Sequence, residues 1–321
     1  MARPVDVPDL VDRALLGEQL AVARLISLVE DDGPGLREVA QALAPHTGRA
    51  HVVGVTGPPG VGKSTSTSAL VAALRAQGRR VGVLAVDPSS PFSGGALLGD
   101  RVRMGEHAMD EGVFIRSMAT RGHLGGLAWS TPQALRVLDA AGCDVVLVET
   151  VGVGQSEVEV VGLADTTVVL LAPGMGDGIQ AAKAGILEVA DVFVVNKADR
   201  EGAAQTVRDL RHMLTLGEQP ADGGWERPVV RTVAVRGEGV TDVVGALDAH
   251  GRWLDQSGER NRRRLARAVA EIQAITLEQV RARIGDLRGA MGLPRLAARV
   301  VAGELDPYRA ADELVADLGR A

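Results

Sequence analysis

The sequence is short of aromatic residues, cysteine and lysine, and each shortage removes a class of function. Phe, Trp and Tyr make up 2% of the 321 residues, so the core must be built from Val, Leu and Ala. Few aromatics also means no stacking platform for unpaired bases, and a formal net charge of −6 argues further against a nucleic-acid partner. The single cysteine, Cys143, excludes a disulfide framework and a thiolate metal cage. The six histidines are scattered without metal-ligand spacing. No apolar run approaches the roughly 18 residues of a membrane span. The N-terminal "MARPVDVPDLVDRALLGEQ" carries acids and has neither a signal-peptide apolar core nor an Arg/Ser-rich transit pattern. A cytoplasmic protein without membrane or nucleic-acid partners is expected. Lysine is rarest of all: of 35 basic residues, only Lys63, Lys183 and Lys197 are not arginine. Lysines that persist in so arginine-rich a chain are suspected of supplying a compact point charge that a planar guanidinium cannot.

What is present is a hydrophobic fraction of 46%, organised by periodicity. Between residues 51 and 235 short aliphatic runs alternate with helical stretches: "HVVGVT", "RVGVLAVD", "VFIRSM", "DVVLVE", "TTVVLLA", "DVFVVN" and "VVRTVAV". Near-continuous Val/Leu strands separated by helices predict a mostly parallel, doubly wound α/β sheet covered on both faces. Ligands of such sheets bind where the loops leave the carboxyl ends of the strands. Residues 1–45 read as a helical N-terminal extension, with apolar positions at Leu20, Val22, Leu25, Ile26 and Val29. Residues 46–256 read as the nucleotide-binding domain. Beyond it, residues 257–321 are helical only, and Leu265, Val269, Ile272, Thr276, Val280, Ile284 and Leu287 form one apolar stripe on a long helix. A stripe of that length on a single helix predicts a dimerisation arm. A shorter helix is expected after Pro307.

The most informative stretch is "VTGPPGVGKSTST". An apolar strand ending at Thr56 runs into Gly57-Pro58-Pro59-Gly60-Val61-Gly62-Lys63-Ser64-Thr65, and a helix follows. This is the G-x-x-x-x-G-K-[ST] phosphate loop in the strand–turn–helix context it requires. Glycines let successive backbone N–H groups turn inward, and the helix start adds its positive dipole end. Lys63 is placed to reach the terminal phosphates and Ser64 to ligate Mg²⁺.

"VVNKAD" supplies Asn196, Lys197 and Asp199 at the end of a later strand. A carboxylate at Asp199 can accept from both N1–H and the 2-amino group of guanine, whereas adenine presents an acceptor at N1. "TVAVRGEGV" follows the last strand, and within Val233-Ala234-Val235 the backbone N–H of Ala234 can meet the guanine oxygen. GTP and GDP are therefore the expected ligands. Between the phosphate loop and this turn stand Asp87 at a strand end, Asp100 in a glycine-rich loop, and Glu149 at the end of the core strand "VLVET", followed by Gly152. These acids are candidates for the Mg²⁺ shell together with Ser64, and the Gly152 N–H for the terminal phosphate. For Asp87 and Asp100 the alternative is a capping or turn role. Val153 follows Gly152 where a water-orienting Gln would be expected, which predicts slow hydrolysis that needs outside help. Lys63, Glu149 and Lys183 are the candidate catalytic groups. For Lys183, in "GMGDGIQAAKAG", a plain surface-helix lysine is the alternative.

The chain as a whole resembles the MeaB/ArgK family of G proteins, the methylmalonyl-CoA mutase-associated GTPases. The strings that carry the likeness are "GPPGVGKST", "VDPSSP", "GGALLGDRVRM", "ATRGHLGGLA", "VETVGVGQSE", "PGMGDGIQAAKAGILEVADVFVVNKAD" and "GELDPYRAADEL". The resemblance implies a GTP-hydrolysing chaperone that gates adenosylcobalamin delivery to a B₁₂-dependent acyl-CoA mutase and protects it. It also implies a homodimer held by the C-terminal arm. It places Lys63, Asp87, Asp100 and Glu149 in the nucleotide–Mg²⁺ shell and Lys183 in a switch that couples to the mutase. Gly178 and Val233 depart from the family pattern, which usually has an acid and a Ser there. Two other client classes stay open: a metal-insertion GTPase, and a targeting GTPase acting at a membrane.

Overall fold

The computed structural model describes residues 6–30, 35–88, 105–107, 109–120, 130–150, 162–174, 189–216, 223–284 and 292–318. The chain divides into two compact units, one up to Asn261 and one from Arg262 onward.

In the first unit, helices α1 (Val7–Leu15), α2 (Gln19–Glu30) and α3 (Leu36–Leu43) precede the strand β1 (His51–Thr56). Then come α4 (Lys63–Ala76), β2 (Val81–Pro88), β3 (Val113–Thr120), α5 (Ser130–Ala140), β4 (Val145–Thr150) and β5 (Thr166–Leu171). They are followed by β6 (Val192–Val195), α6 (Ala203–Leu216), β7 (Val229–Arg231) and α7 (Val240–Gln256). The seven strands form one sheet in the order β3-β2-β4-β1-β5-β6-β7, and every pairing is parallel. The chain first winds to one side of β1 and later to the other, so β1 occupies the centre.

Strand periodicity distributes the aliphatic residues to both faces. Val53, Val55, Val83, Leu147, Val168, Leu170, Val192 and Val194 join the cluster under α4 and α7, with Val71, Leu74, Val244 and Leu247. Their neighbours Leu84, Val86, Val146 and Val148 point the other way, into a cluster with Leu135 and Leu138 of α5. Val169, Leu171, Phe193 and Val195 pack against Val207 and Leu210 of α6. Two covered faces are why these strands read as unbroken apolar runs.

The N-terminal helices belong to this core. Val22, Leu25, Ile26 and Val29 of α2 are buried in the same cluster as Leu84 and Leu138, while Leu20, expected on that stripe, is exposed and Ala21 is buried instead. Truncating Leu25 or Ile26 to Ala removes a fully buried side chain, at a cost of about 2–5 kcal/mol. The chain enters β1 through Asp139 of α5, whose carboxylate accepts from the N–H groups of Gly48, Arg49 and Ala50. Paired guanidinium–carboxylate contacts brace α4: Arg75 meets Asp110 at 2.8 Å through both oxygens, and Arg79 meets Asp248 of α7 at 2.7 and 2.8 Å.

The helix α8 (Glu259–Ile284) begins at the end of the first unit, where Arg260 reaches Asp165 Oδ2 at 3.4 Å and the Gly251 carbonyl at 3.0 Å. Most of α8 belongs to the second unit, with α9 (Leu293–Val301) and α10 (Pro307–Leu318). Arg299 of α9 pairs with Glu313 of α10 at 2.7 Å, and Asp306 caps α10 by accepting from Tyr308 and Arg309 N–H. Along α8 the described part of the expected stripe is exposed: Leu265 is 62% and Ile272 64% exposed, and Val269 and Val280 are exposed as well. Leu287 lies outside the described residues, as does the side chain of Ile284.

Candidate nucleotide site

Three strand ends converge at the centre of the sheet. The register pairs Val55 of β1 with Glu149 of β4, and Glu149 in turn with Ala85 of β2. Glu149 therefore lies one strand away from the point where β1 turns into the phosphate loop. Asp87 follows Val86 at the carboxyl end of β2, on the same edge.

At the turn, Gly57 has φ +142°, and a Cβ there would stand 2.3 Å from the Leu170 carbonyl oxygen of β5. Only glycine lets the loop start this close to the neighbouring strand. Pro59 and Gly60 are exposed, while Val61 drops into the core beneath α4 and anchors the loop from below. The helix opens at Lys63 with Gly62 as its N-cap, so the first-turn N–H groups face the loop. Thr65, in that first turn, is exposed.

Lys63 is buried to 8% exposure, and its ammonium donates to the carbonyls of Gly57 at 2.6 Å and Pro58 at 3.2 Å. These contacts hold a point charge inside the loop. The Ser64 hydroxyl donates to Glu149 Oε1 at 2.7 Å, and Glu149 is 1% exposed. A buried carboxylate touching the hydroxyl that follows the phosphate-loop lysine is a donor set of the hard-oxygen kind that suits Mg²⁺. Among the described residues no group of three or more His, Cys, Asp or Glu gathers into a self-sufficient metal cage. A cation here would complete its shell from phosphate oxygens and water.

The Asn196–Asp199 turn is tied to the phosphate loop. Asn196 Nδ2 donates to the Val61 carbonyl at 2.9 Å, and its Oδ1 accepts from Thr232 Oγ1 at 3.2 Å and from Ala234 N–H at 3.1 Å. Lys197 has φ +57°, alone among the described non-glycine residues in having a positive φ, and its ammonium donates to the Gly60 carbonyl at 2.6 Å. Both described lysines thus end on carbonyls of the phosphate loop. Asp199 is exposed at the mouth of the site, its carboxylate 3.4 Å from Arg236 Nη1.

The loop after β7 differs in detail from the sequence reading. The aliphatic run "VVRTVAV" suggested a strand through residue 235, yet β7 stops at Arg231 and Ala234–Arg236 form a 3₁₀ turn. The bend lets Val233 and Ala234 sink while Val235 stays exposed. It also commits the Ala234 N–H, expected to face a guanine oxygen, to Asn196. Asp100, Gly152, Val153, Gly178 and Lys183 lie outside the described residues, as does the side chain of Asp87. Sequence reasoning missed Thr232 and Arg236. A hydroxyl beside the strand end and an arginine beside a lone acid were the only signals they gave.

The family model for the methylmalonyl-CoA mutase-associated GTPase MeaB matches residues 22–287. A putative GTPase of Pyrococcus abyssi is 46% identical over 313 residues, covering 97% of each chain. The mitochondrial methylmalonic aciduria type A homolog of Mus musculus is 36% identical over 324 residues, covering 93% of this chain and 76% of that one. Among solved structures, that of an LAO/AO transport system kinase superposes with a TM-score of 0.74 at 27% identity, covering 99% of both chains. Sheet, family model and relatives agree: the chain is a guanine-nucleotide-binding GTPase and belongs to the methylmalonyl-CoA mutase-associated MeaB family.

Proposed function

We propose that this GTPase gates adenosylcobalamin loading into a B₁₂-dependent acyl-CoA mutase, methylmalonyl-CoA mutase foremost, and protects that enzyme. The match of residues 22–287 to the mutase-associated family carries the reading, and the name of the mouse relative supports it. The same match favours a mutase client over the metal-insertion and membrane-targeting alternatives. No helix among the described residues is long and apolar enough to cross a membrane.

In this reading Lys63 moves from its two carbonyls onto the β- and γ-phosphates, and the Gly57–Ser64 loop wraps the phosphate chain. Ser64 and Glu149 would hold Mg²⁺, with Asp87 and Asp100 as the further candidates. When bound, the ion neutralises charge on the β- and γ-phosphate oxygens. Asp199 reads the base, and Asn196 and Lys197 keep the turn in register with the phosphate loop. Lys183 supplies a cation to the developing phosphate charge once the mutase docks, taking the part an arginine finger has elsewhere. The exposed stripe of α8 pairs two copies into a homodimer.

The test is co-purification with candidate acyl-CoA mutases, with GDP and with a non-hydrolysable GTP analogue, followed by turnover with and without the mutase. Nucleotide-dependent association and stimulated hydrolysis are expected, with the stimulation lost in Lys183→Ala while basal turnover stays. A mutase that neither binds nor stimulates, in either nucleotide state, would remove the client assignment.

A further inference from the structure

Each side chain of the base-reading turn is fastened to something outside the turn. Asn196 and Lys197 hold phosphate-loop carbonyls, and the third tie joins Asp199 Oδ2 to Arg236 Nη1 at 3.4 Å. Arg236 ends the 3₁₀ turn after β7, and its guanidinium is gripped along the other edge by Glu238. Nε meets Glu238 Oε1 at 2.6 Å, and Nη2 meets Oε2 at 3.4 Å. Glu238 is brought there by a tight reversal. Val233 N–H donates to the Glu238 carbonyl at 3.0 Å, closing an antiparallel bridge. Gly239 follows with φ +73°, where a Cβ would lie 2.0 Å from the Arg231 carbonyl oxygen, so the reversal requires glycine. The "RGEG" segment thus sets Arg236 between two carboxylates, Glu238 and Asp199.

The terminal torsion of an aspartate is broad, so an exposed carboxylate does not by itself choose the plane in which its oxygens lie. Reading guanine requires both oxygens at once, one for N1–H and one for the 2-amino group. A carboxylate offers roughly four acceptor directions, so Arg236 can occupy one on Oδ2 and leave enough for both base contacts. A guanidinium held in a planar fork fixes direction as well as charge, which an ammonium does not.

We propose that Arg236, held by Glu238, is a specificity-determining positioning residue that sets the plane of the Asp199 carboxylate for simultaneous contact with N1–H and the 2-amino group of guanine. This rests on Asp199 being the base reader. The discriminating ligand is inosine triphosphate, which keeps N1–H and lacks the 2-amino group. A freely turning Asp199 would still serve its single contact and would lose advantage only on GTP.

The experiment is calorimetric affinity of the full-length protein with Mg²⁺ for GTP, inosine triphosphate and xanthosine triphosphate. In Arg236→Ala, GTP affinity should fall about fivefold while inosine triphosphate changes by less than about twofold, an effect of the size expected of an exposed charged contact. Arg236→Lys should recover only part of the GTP preference, and Glu238→Gln should shift the same ratio in the same direction by less. Equal weakening of both nucleotides in Arg236→Ala would make Arg236 a loop support only, and an unchanged ratio would overturn the role. A rise in GTP affinity would make Arg236 a competitor for the carboxylate and would overturn it too. Asp199→Asn separates the underlying reading. Loss of GTP and gain of xanthosine triphosphate keeps Asp199 as base reader whatever Arg236 does. An unchanged nucleotide preference in Asp199→Asn removes both.

Discussion

Ser64 Oγ donates to Glu149 Oε1 at 2.7 Å, joining the first turn of the helix after the phosphate loop to the end of a central strand. The contact forms because the register sets Glu149 beside Val55, at the level where β1 gives way to the loop. Glu149→Gln keeps shape and hydrogen bonding and removes the charge. Hydrolysis should fall by about tenfold or more while GTP affinity changes less, and saturation with Mg²⁺ should need a higher concentration. Steady-state turnover across a Mg²⁺ titration reads this. Wild-type behaviour at limiting Mg²⁺ would reduce Glu149 to a structural acid.

Asn196 is the joint between the two halves of the site. Its replacement by Ala leaves the Val61 carbonyl, the Thr232 hydroxyl and the Ala234 N–H without the partner they now share. Each buried polar group so stranded costs about 1–3 kcal/mol, and relaxation will recover part of the total. A loss of about 2 kcal/mol or more in denaturant unfolding is expected, with GTP binding lost in parallel. A variant with unaltered stability would show that the three contacts are dispensable.

Cys143 reports on integrity of the sheet's far face. It is packed with Leu138 and Val146, and burial pushes its thiol pKa up to about 12. The native thiol should therefore ignore a thiol-reactive chromophore at pH 8 and react fully once denatured. A folded thiol that stays protonated while the unfolded one ionises also means that stability declines as pH rises from the ordinary thiol range toward that value. Rapid labelling of the native protein would contradict the packing.

The C-terminal unit should be separable. Cutting after Asn261 keeps Arg260 on Asp165 and Gly251 and removes the exposed Leu265–Val280 stripe. Sedimentation should show a dimer for the full chain and a monomer for residues 1–261, with GTP affinity unchanged. A full-length protein that is monomeric at micromolar concentration would take the dimer role from α8.

Much of this was legible in the sequence because two strict patterns coincide. Near-continuous aliphatic runs marked all seven strands, and the phosphate-loop spacing pointed to which of them starts the site. The apolar stripe from Leu265 announced the helix that spans Glu259–Ile284. What stayed hidden was tertiary. Leu20 fits the α2 stripe by spacing, but the helix turns Ala21 inward. "VVRTVAV" has the composition of one strand, yet the strand ends at Arg231, and Thr232 and Ala234 bond Asn196 instead. The helix Leu293–Val301 falls in the stretch read as helical but was not singled out there, and only Leu296 on it is buried. Arg236 could not be found by spacing, since its meaning depends on a reversal that brings Glu238 alongside it.

With the nucleotide held as proposed, the position of β1 in the middle of the sheet would divide its hold into a strong end and a weak one. The phosphate loop springs from β1 at the centre of the sheet, whereas the Asn196–Asp199 turn leaves β6, next to the edge, and the turn at Ala234 follows the three-residue edge strand β7, which is only half buried. Amide protons should exchange slowest along β1, β4 and β5 and fastest through residues 229–236, since edges open before centres. A bound nucleotide would then depart base first, its phosphates remaining clasped until the edge has loosened. Uniform protection across the sheet would rule out that order of release.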